Sequence, residues 1–549
     1  MVYVINGVSY EGHKPRGPEY QREPTRFSYE REALDLEGTD LHLYVCAACP
    51  WAHRALLTRN LSRTLRERVT VSVVSPYRDD AIGWEFLSEE NQETAGRFTA
   101  FPVTPDRSPR KAGSLLEIYL AAEPNYTGNI TTPTLYDAKS NRILSNDSFG
   151  IMRHFVKTVP NELGHLYTDP GRIDEEGRRI DAELGNRVYM CGLAKTQTAY
   201  EESSGRVFAE LDRLEHLLSD DDRSHLLGGG LSLVDLQLVS CLVRFDPVYF
   251  GLFKCFARRL SSYPFLAAYL RRVTQEIGPE AMCLDLDQIV NHYYSTFTSA
   301  NPNGVVPIGY RRDFLDGGKD LYANPPDTSE SGTTESGTSG VEQDQTDAEE
   351  RRARGEFVRG VSGNRDWLGG EEFPLEKDRY VLFVANNCPW CHRTVMARAL
   401  FPGVEELISL SVLFYRRGED GWRFLPSEDG EFRTFEKDRP GLLTGVDGSD
   451  PTKNGFTCAK DIYRLSEPDS TQKSVPILFD TKTKRVVSNE SADIVRMFAA
   501  AAGSEPTDEI EKINARVYQD VNNGAYRGEC FAEHSSVIDT EMYPCYGCC

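Results

Sequence analysis

Slid along itself by 339 positions, the 549-residue chain nearly meets itself again. "CPWAHR" at Cys49 recurs as "CPWCHR" at Cys388, and "VTVSVVSPYRDDAIGWEF" recurs as "ISLSVLFYRRGEDGWRF", with Trp84 matched by Trp422. "TTPTLYDAKSNRILSNDSFGIMRHF" recurs as "SVPILFDTKTKRVVSNESADIVRMF", with Pro133 matched by Pro476. Landmarks in one order at a near-constant offset mark a doubled unit far larger than a motif, not a solenoid of short repeats. Any fold for this chain is therefore built twice. The first copy runs to about Tyr310, whereas the second stops soon after "NARVYQDVNNGAYRG".

Each copy has a readable local pattern. "DLHLYVCAA" reads as a strand, "PWAHRALLTRNLSRTL" as one helix and "VTVSVVS" as a second strand. "TPTLYD" and "RILS" form a hairpin that leads into the helix "SFGIMRHFV". Strand, helix, strand, then a proline-preceded hairpin and a helix is the thioredoxin order. After about Ile173 the first copy turns helical: "AYEESSGRVFAELDRLEHLLS", "LSLVDLQLVSCLVRFDPVYF" and "YPFLAAYLRRVTQ" carry apolar residues at helical spacing. The fold class is thus α/β plus all-α, with two units of one design and a truncated second helical part.

Between the copies, "NPPDTSESGTTESGTSGVEQDQTDAEE" holds no Lys or Arg and almost no bulky apolar side chain. It buries too little to offset its ordering entropy and reads as a disordered linker. The expected domains are 1–165 (thioredoxin-like, with an N-terminal extension), 166–323 (all-helical), 324–354 (acidic linker), 355–503 (second thioredoxin-like) and 504–549 (truncated helical segment and Cys-rich tail). A net charge of −22 without a basic stripe argues against nucleic-acid and anionic-membrane partners. No apolar run reaches the length of a membrane span, and the start lacks the layout of a signal peptide. The 13 cysteines then read as reduced thiols in a cytoplasmic setting.

A cysteine between a strand and the first turn of a helix faces unpaired backbone N–H groups and the positive end of the helix dipole. Both favour thiolate, the nucleophilic form. Pro50 and Pro389 follow, where a missing N–H costs nothing and the fixed φ suits a helix start. A lone Cys-Pro would read as a buried strand end; the repeat with "W-[AC]-H-R" attached favours two reactive centres. They differ chemically. Cys388 and Cys391 form a dithiol across one helical turn, whereas Ala52 leaves Cys49 a monothiol. Cys46 lies on the strand side and reads as core. Thr132 and Val475 precede the prolines that offer backbone to an extended ligand, and Ser148 and Ser491 open helices whose N-termini attract a carboxylate. Asp147 and Glu490 would take an ammonium. Helix capping explains a single such segment, but the pairing with a proline-preceded strand points to the γ-glutamyl end of glutathione. Nothing in the sequence assembles a metal site, and the terminal "YPCYGCC" lacks a fourth ligand for zinc.

"CPWAHR", "GWEF", "TPTLYD" and "VPILFD", "SNDS" and "SNES", "LVRFDPVY", "FKC" and "NHYY…NPNGVVPIG" together resemble the Xi-class glutathione transferases, the glutathionyl-hydroquinone reductases. The resemblance spans Met1 to about Tyr310 and, in the second copy, Gly355 onward. It implies that Cys49 is the nucleophile, with glutathione as co-substrate and small aromatic quinol adducts as substrates. Trp84, Thr132, Asp147 and Ser148 would contact glutathione, and Tyr189 would donate a proton to the leaving quinol carbon. Tyr249 and Tyr293 would line the pocket. In the second copy Cys388, Trp422, Val475, Glu490, Ser491 and Tyr526 hold the corresponding places, without counterparts of Tyr249 or Tyr293. Departures from the family pattern are Asp147 in place of Glu, Asn129 in place of Arg, and "GNRVY" in place of "NNGVY". The resemblance also implies pairing, either with a second chain or between the two copies. Two other readings stand beside it: an Omega-like thiol transferase or dehydroascorbate reductase that needs Cys49 but not Tyr189, and a non-catalytic scaffold of transferase fold.

Overall fold

A computed structural model describes residues 3–10, 25–29, 33–79, 81–89, 91, 101–220, 223–307, 362–414, 417–424, 450–505 and 507–522. The acidic stretch 324–354, Tyr526 and the Cys-rich end lie outside the described residues. The chain divides into two compact units, Met1–Glu335 and Ser336–Cys549.

The first unit is organised around a four-stranded sheet, ordered β2-β1-β3-β4, of β1 (Leu41–Val45), β2 (Val69–Val73), β3 (Thr134–Asp137) and β4 (Arg142–Ser145). Strand β1 runs parallel to β2, with Leu41 opposite Val69, and antiparallel to β3, with Leu43 opposite Leu135. All five β1 residues are buried, which is why the strand shows no alternation of polar and apolar residues: both faces of the sheet are covered. Helix α1 (Pro50–Asn60) leaves the end of β1, with Cys49 as its N-cap and Pro50 at the first helical position. The sequence reading of one helix through Leu65 is corrected here. Ser62 Oγ accepts the Leu65 N–H at 3.1 Å and so starts a separate short helix, Arg63–Arg68. Helix α2 (Leu115–Ala122) precedes the β3–β4 hairpin, and α3 (Ser148–Thr158) follows it.

No strand occurs among the described residues after β4 in this unit. Helices α4 (Pro170–Ile180), α5 (Arg187–Gly192), α6 (Gln197–Leu218), α7 (Leu233–Leu242), α8 (Pro264–Ile277) and α9 (Leu286–Thr296) form an all-helical part. Helix α7 is buried along all ten residues. It packs on α1, whose other side meets α3. Sandwiched this way, α1 buries nine of its eleven residues, including His53 and Arg54; it is a helix buried all round, not an amphipathic one. The start of α7 is held by Asp235, which accepts from Ser232 N–H (2.9 Å), Leu226 N–H (2.9 Å) and the Tyr269 hydroxyl (2.8 Å).

The second unit repeats the sheet, in the order β6-β5-β7-β8, with β5 (Tyr380–Ala385), β6 (Ile408–Leu413), β7 (Ile477–Asp480) and β8 (Arg485–Ser488). Helix α10 (Pro389–Leu400) starts at Cys388, α11 (Ala459–Ser466) precedes the hairpin, and α12 (Ser491–Ala501) follows it. Here the resemblance between the units stops. Helix α10 buries only four of its twelve residues, and Met396, at the place of the wholly buried Leu57, is 57% exposed. Helix α13 (Asp508–Arg516) buries none of its residues. Among the described residues, nothing plays the part of α7 in this unit.

Truncating the Asp235 carboxylate removes the acceptor for two buried N–H groups and a buried phenol. Asp235→Ala should therefore lower the stability of the first unit by about 2–4 kcal/mol, read as a drop in the urea denaturation midpoint.

Candidate active site

Cys49 caps α1 in extended conformation (φ −78°, ψ 123°), and its Sγ accepts the Ala52 N–H at 3.5 Å. On the other side Sγ lies 3.5 Å from the carbonyl oxygen of Thr132, in the cis Thr132–Pro133 peptide. The sulfur is half-buried, bracketed between a helix N-terminus and the edge of β3. Cys46 is fully buried; burial, followed by the neighbouring Cys49 charge, pushes its thiol up to about 12. A thiol held protonated in this way serves as core, not as a second nucleophile.

The loop between β1 and Cys49 is fastened from the helical part. Arg244, just beyond α7 and completely buried, donates Nη2 to the Ala47 carbonyl (2.9 Å) and Nε to the Ala48 carbonyl (2.8 Å). Its Nη1 reaches the Ser240 carbonyl and His53 Nδ1, the latter at 3.1 Å. Because Nδ1 accepts, His53 Nε2 carries the hydrogen, and it donates to Met282 O at 2.6 Å. Burial, then the Arg244 charge, lower the His53 pKa to about 3. Arg244 opens the "RFDPVY" segment, and His53 belongs to "CPWAHR". Both motifs were visible in the sequence, yet neither residue was singled out, because a contact across nearly two hundred residues has no local signal.

Ser148 and Asp147 stand at the start of α3, as their sequence context suggested, but the serine hydroxyl is already engaged. Arg54 donates Nε (3.0 Å) and Nη2 (2.7 Å) to Ser148 Oγ and is itself paired with Asp181, Nη1 to Oδ1 at 2.8 Å. The helix N-terminus that would meet a carboxylate is thus reinforced by a buried guanidinium. Asp147 makes no capping bond with its carboxylate. Trp84 stacks near His292 (5.3 Å between centroids), beneath Arg78 (5.8 Å). Among the described residues, Trp84 Nε1 and Thr132 Oγ1 are buried polar atoms without a partner. Orphaned groups of this kind need an explanation. A tripeptide with two carboxylates and amide carbonyls supplies the missing acceptors, so these residues fit glutathione. His292 donates Nδ1 to Pro76 O at 2.7 Å, and burial followed by the Arg78 charge brings its pKa to about 3.

The three sequence-predicted tyrosines converge. The hydroxyls of Tyr189 and Tyr293 are hydrogen-bonded to each other. The Tyr189 ring contacts Trp51 (5.1 Å), Tyr249 (6.1 Å) and Phe253 (5.1 Å). Tyr249 stacks on Phe253, and Tyr293 stacks on Phe297. The cage closes because position 192 is glycine: a Cβ there would come within 2.2 Å of the Phe253 ring. Burial first, then the Tyr293, Tyr249 and Cys49 charges, hold the Tyr189 phenol well above its ordinary range. Tyr293 is raised chiefly by burial. Both phenols stay protonated at any working pH. Trp51, Phe253 and Phe297 are cage residues that sequence reasoning missed; an aromatic at helical spacing carries no mark that separates pocket from core.

In the second unit Cys388 caps α10, with Sγ 3.8 Å from Val475 O in the cis Val475–Pro476 peptide. Arg393 repeats Arg54, donating to Ser491 Oγ at 3.0 Å, and lies 3.5 Å from Glu490. Trp422 Nε1, like that of Trp84, is buried without a partner among the described residues. The structure thus sets Val475 beside Cys388 and Glu490 and Ser491 around Arg393, with Trp422 buried in the same core, while Tyr526 lies outside the described residues.

A profile of the family described as "Glutathione S-transferase, C-terminal domain" matches residues 197–272. The glutathionyl-hydroquinone reductase PcpF of Sphingobium chlorophenolicum is 38% identical to this chain over 324 residues, covering 56% of this chain and 96% of that protein. The glutathionyl-hydroquinone reductase YqjG of Escherichia coli K12 is 38% identical over 336 residues, covering 57% and 96%. The glutathione-bound structure of E. coli YqjG superposes with a TM-score of 0.48 at 32% identity, over 57% of this chain and 97% of that one.

Two outcomes follow from the clamp and its histidines. In Arg244→Lys one ammonium cannot reach three carbonyls and an imidazole, so about 2–4 kcal/mol is lost. Cys49 should also be alkylated faster by iodoacetamide, which checks that the loop has loosened. The unfolded chain binds protons at His53 and His292 near pH 6.5, whereas the fold holds both pKa values at about 3. Stability is therefore intact above about pH 6.5 and lost on acidification toward pH 3, with a slope of about 1.4 kcal/mol per pH unit for each histidine. Urea midpoints taken between pH 7 and pH 5 measure it.

Proposed function

This chain belongs to the Xi-class glutathione transferases, the glutathionyl-hydroquinone reductases, and from that premise we infer that its first unit reduces S-glutathionyl-hydroquinones through Cys49. The observation that carries the reading is the hydroxyl pair of Tyr189 and Tyr293, buried in an aromatic cage whose Trp51 wall lies two residues beyond the nucleophile. A flat quinol ring fits aromatic walls. A carbon leaving group needs a proton donor, and Tyr189 is kept protonated.

Cys49 Sγ attacks the sulfur of the adduct, and the carbon–sulfur bond breaks toward the ring. The electron pair goes to the ring carbon, which takes a proton from Tyr189, and Tyr293 steadies the resulting phenolate through the shared hydrogen bond. Glutathione is left as a mixed disulfide on Cys49. A second glutathione attacks it, releasing glutathione disulfide and the free thiol. Trp84, Thr132, Asp147, Ser148 and Arg54 hold the tripeptide, while Tyr249 lines the quinol side. The reaction consumes reduced glutathione and suits a reducing, cytoplasm-like compartment. Among the described residues, no helix is long and apolar enough to cross a membrane.

An Omega-like thiol transferase would need Cys49 but no carbon acid, and relatives named omega-like exist, among them one from Schizosaccharomyces pombe at 34% identity. Tyr189→Phe separates the two. It should lower kcat/KM on a glutathionyl-hydroquinone by about 10²-fold or more, with a far smaller effect on a small mixed disulfide, while Cys49→Ala abolishes quinol formation. Equal losses on both substrates in Tyr189→Phe would remove the assigned proton donor.

A further inference from the structure

We propose that the second unit is an independent dithiol centre that takes the glutathionyl group from mixed disulfides, with Cys388 as nucleophile and Cys391 as resolving thiol. Three observations lead there. The two cysteines lie three residues apart in the first turn of α10, joined by a Cys391 N–H to Cys388 carbonyl bond of 3.1 Å. That spacing places their Cα atoms within reach of a disulfide. Cys391 Sγ is turned back toward the thiol loop, where it accepts the Ala385 N–H at 3.4 Å. The first unit has Ala52 at the matching helix position and cannot make this pair.

The cradle beside this dithiol selects the glutathionyl group. Trp422 Nε1 is buried without a partner among the described residues, the Val475 carbonyl faces Cys388 Sγ, and Arg393 with Ser491 reinforces the start of α12. The aromatic cage is what differs. In the first unit it is supplied by α5, α9 and the segment 245–253; in the second Trp390, at the place of Trp51, meets Tyr518 at 5.5 Å, and no described residue corresponds to Tyr249, Phe253 or Tyr293. Among the described residues the second unit thus offers a quinol ring fewer aromatic walls than the first. Cys388 and Cys391 are both buried, so the centre admits a slim glutathionyl arm in preference to a bulky thiol reagent.

The Cys388 thiolate attacks the glutathionyl sulfur of a mixed disulfide; the S–S bond breaks, and its electron pair leaves with the other thiolate, which takes a proton from solvent. The Cys391 thiolate then attacks Cys388 Sγ, expelling glutathione and closing the Cys388–Cys391 disulfide. Two further glutathiones reopen it, leaving as glutathione disulfide. The net exchange is one mixed disulfide and one glutathione for one free thiol and one glutathione disulfide.

The test uses the full-length chain carrying Cys49→Ala, exposed in separate arms to glutathione disulfide and to glutathionylated serum albumin, then alkylated and mapped by peptide mass. The peptide with Cys388 and Cys391 should lose two hydrogens in at least one arm, and the arm that reacts identifies a small or a protein-borne donor. Added Cys391→Ser should instead trap one glutathione on Cys388, as should Cys391→Ala if the serine variant fails to fold by circular dichroism. An unchanged peptide in both arms, or a Cys388 that stays bare in both folded variants, overturns the proposal. The glutathione adduct at Cys49 in the wild-type chain, read in the same digest, reports separately on the first unit.

Discussion

One buried guanidinium ties the first unit together. Arg244 comes from the helical part; among the described residues its hydrogen-bond partners are the carbonyls of Ala47, Ala48 and Ser240 and the His53 ring, with no carboxylate. Two of those carbonyls belong to the loop that delivers Cys49 to the start of α1. Removing any acceptor leaves a buried cation partly solvated, so the loop and the helical part are held in one arrangement. Cys49 is thereby placed against two surfaces at once: the sheet edge that offers Thr132 and the aromatic cage that offers Tyr189.

This division of labour follows from what each kind of structure does well. A sheet edge and two helix N-termini present backbone groups and dipoles, which suit a peptide and carboxylates. Packed helices present side chains of chosen shape, which here supply flat walls and phenols. The burial that encloses the cage also raises the Tyr189 pKa, so the pocket and its protonated phenol have one physical cause.

The two units carry two thiol arrangements on one scaffold. Both pin the opening serine of a helix with the arginine of the "CPW" motif, and both bury a tryptophan N–H that has no partner among the described residues. They place the second thiol on opposite sides of the loop. Cys46 directly follows β1 in the first unit, where Ala385 stands in the second; Cys391 lies on the helix in the second, where Ala52 stands in the first. A thiol on the strand side becomes core, and burial raises its pKa. The helix-side Cys391 is buried too, but it follows Cys388 by one helical turn.

The repeat, the thioredoxin order, the position of Cys49 and Cys388 at helix starts and the helical character after Ile173 were all legible in the amino-acid sequence, since each is a matter of period, capping or spacing within a few residues. Family motifs also marked the three tyrosines. The break after Asn60 was not anticipated, because Ser62 competes locally with a continuous helical pattern that its neighbours support equally well. Sequence alone could not tell that Ser148 is occupied by Arg54, that Arg244 grips the cysteine loop, or that Met396 stands open where Leu57 is sealed. Those facts depend on which surfaces meet across long stretches of chain. Side-chain type and local order are encoded residue by residue, whereas burial and partnership are decided only when distant elements close on one another.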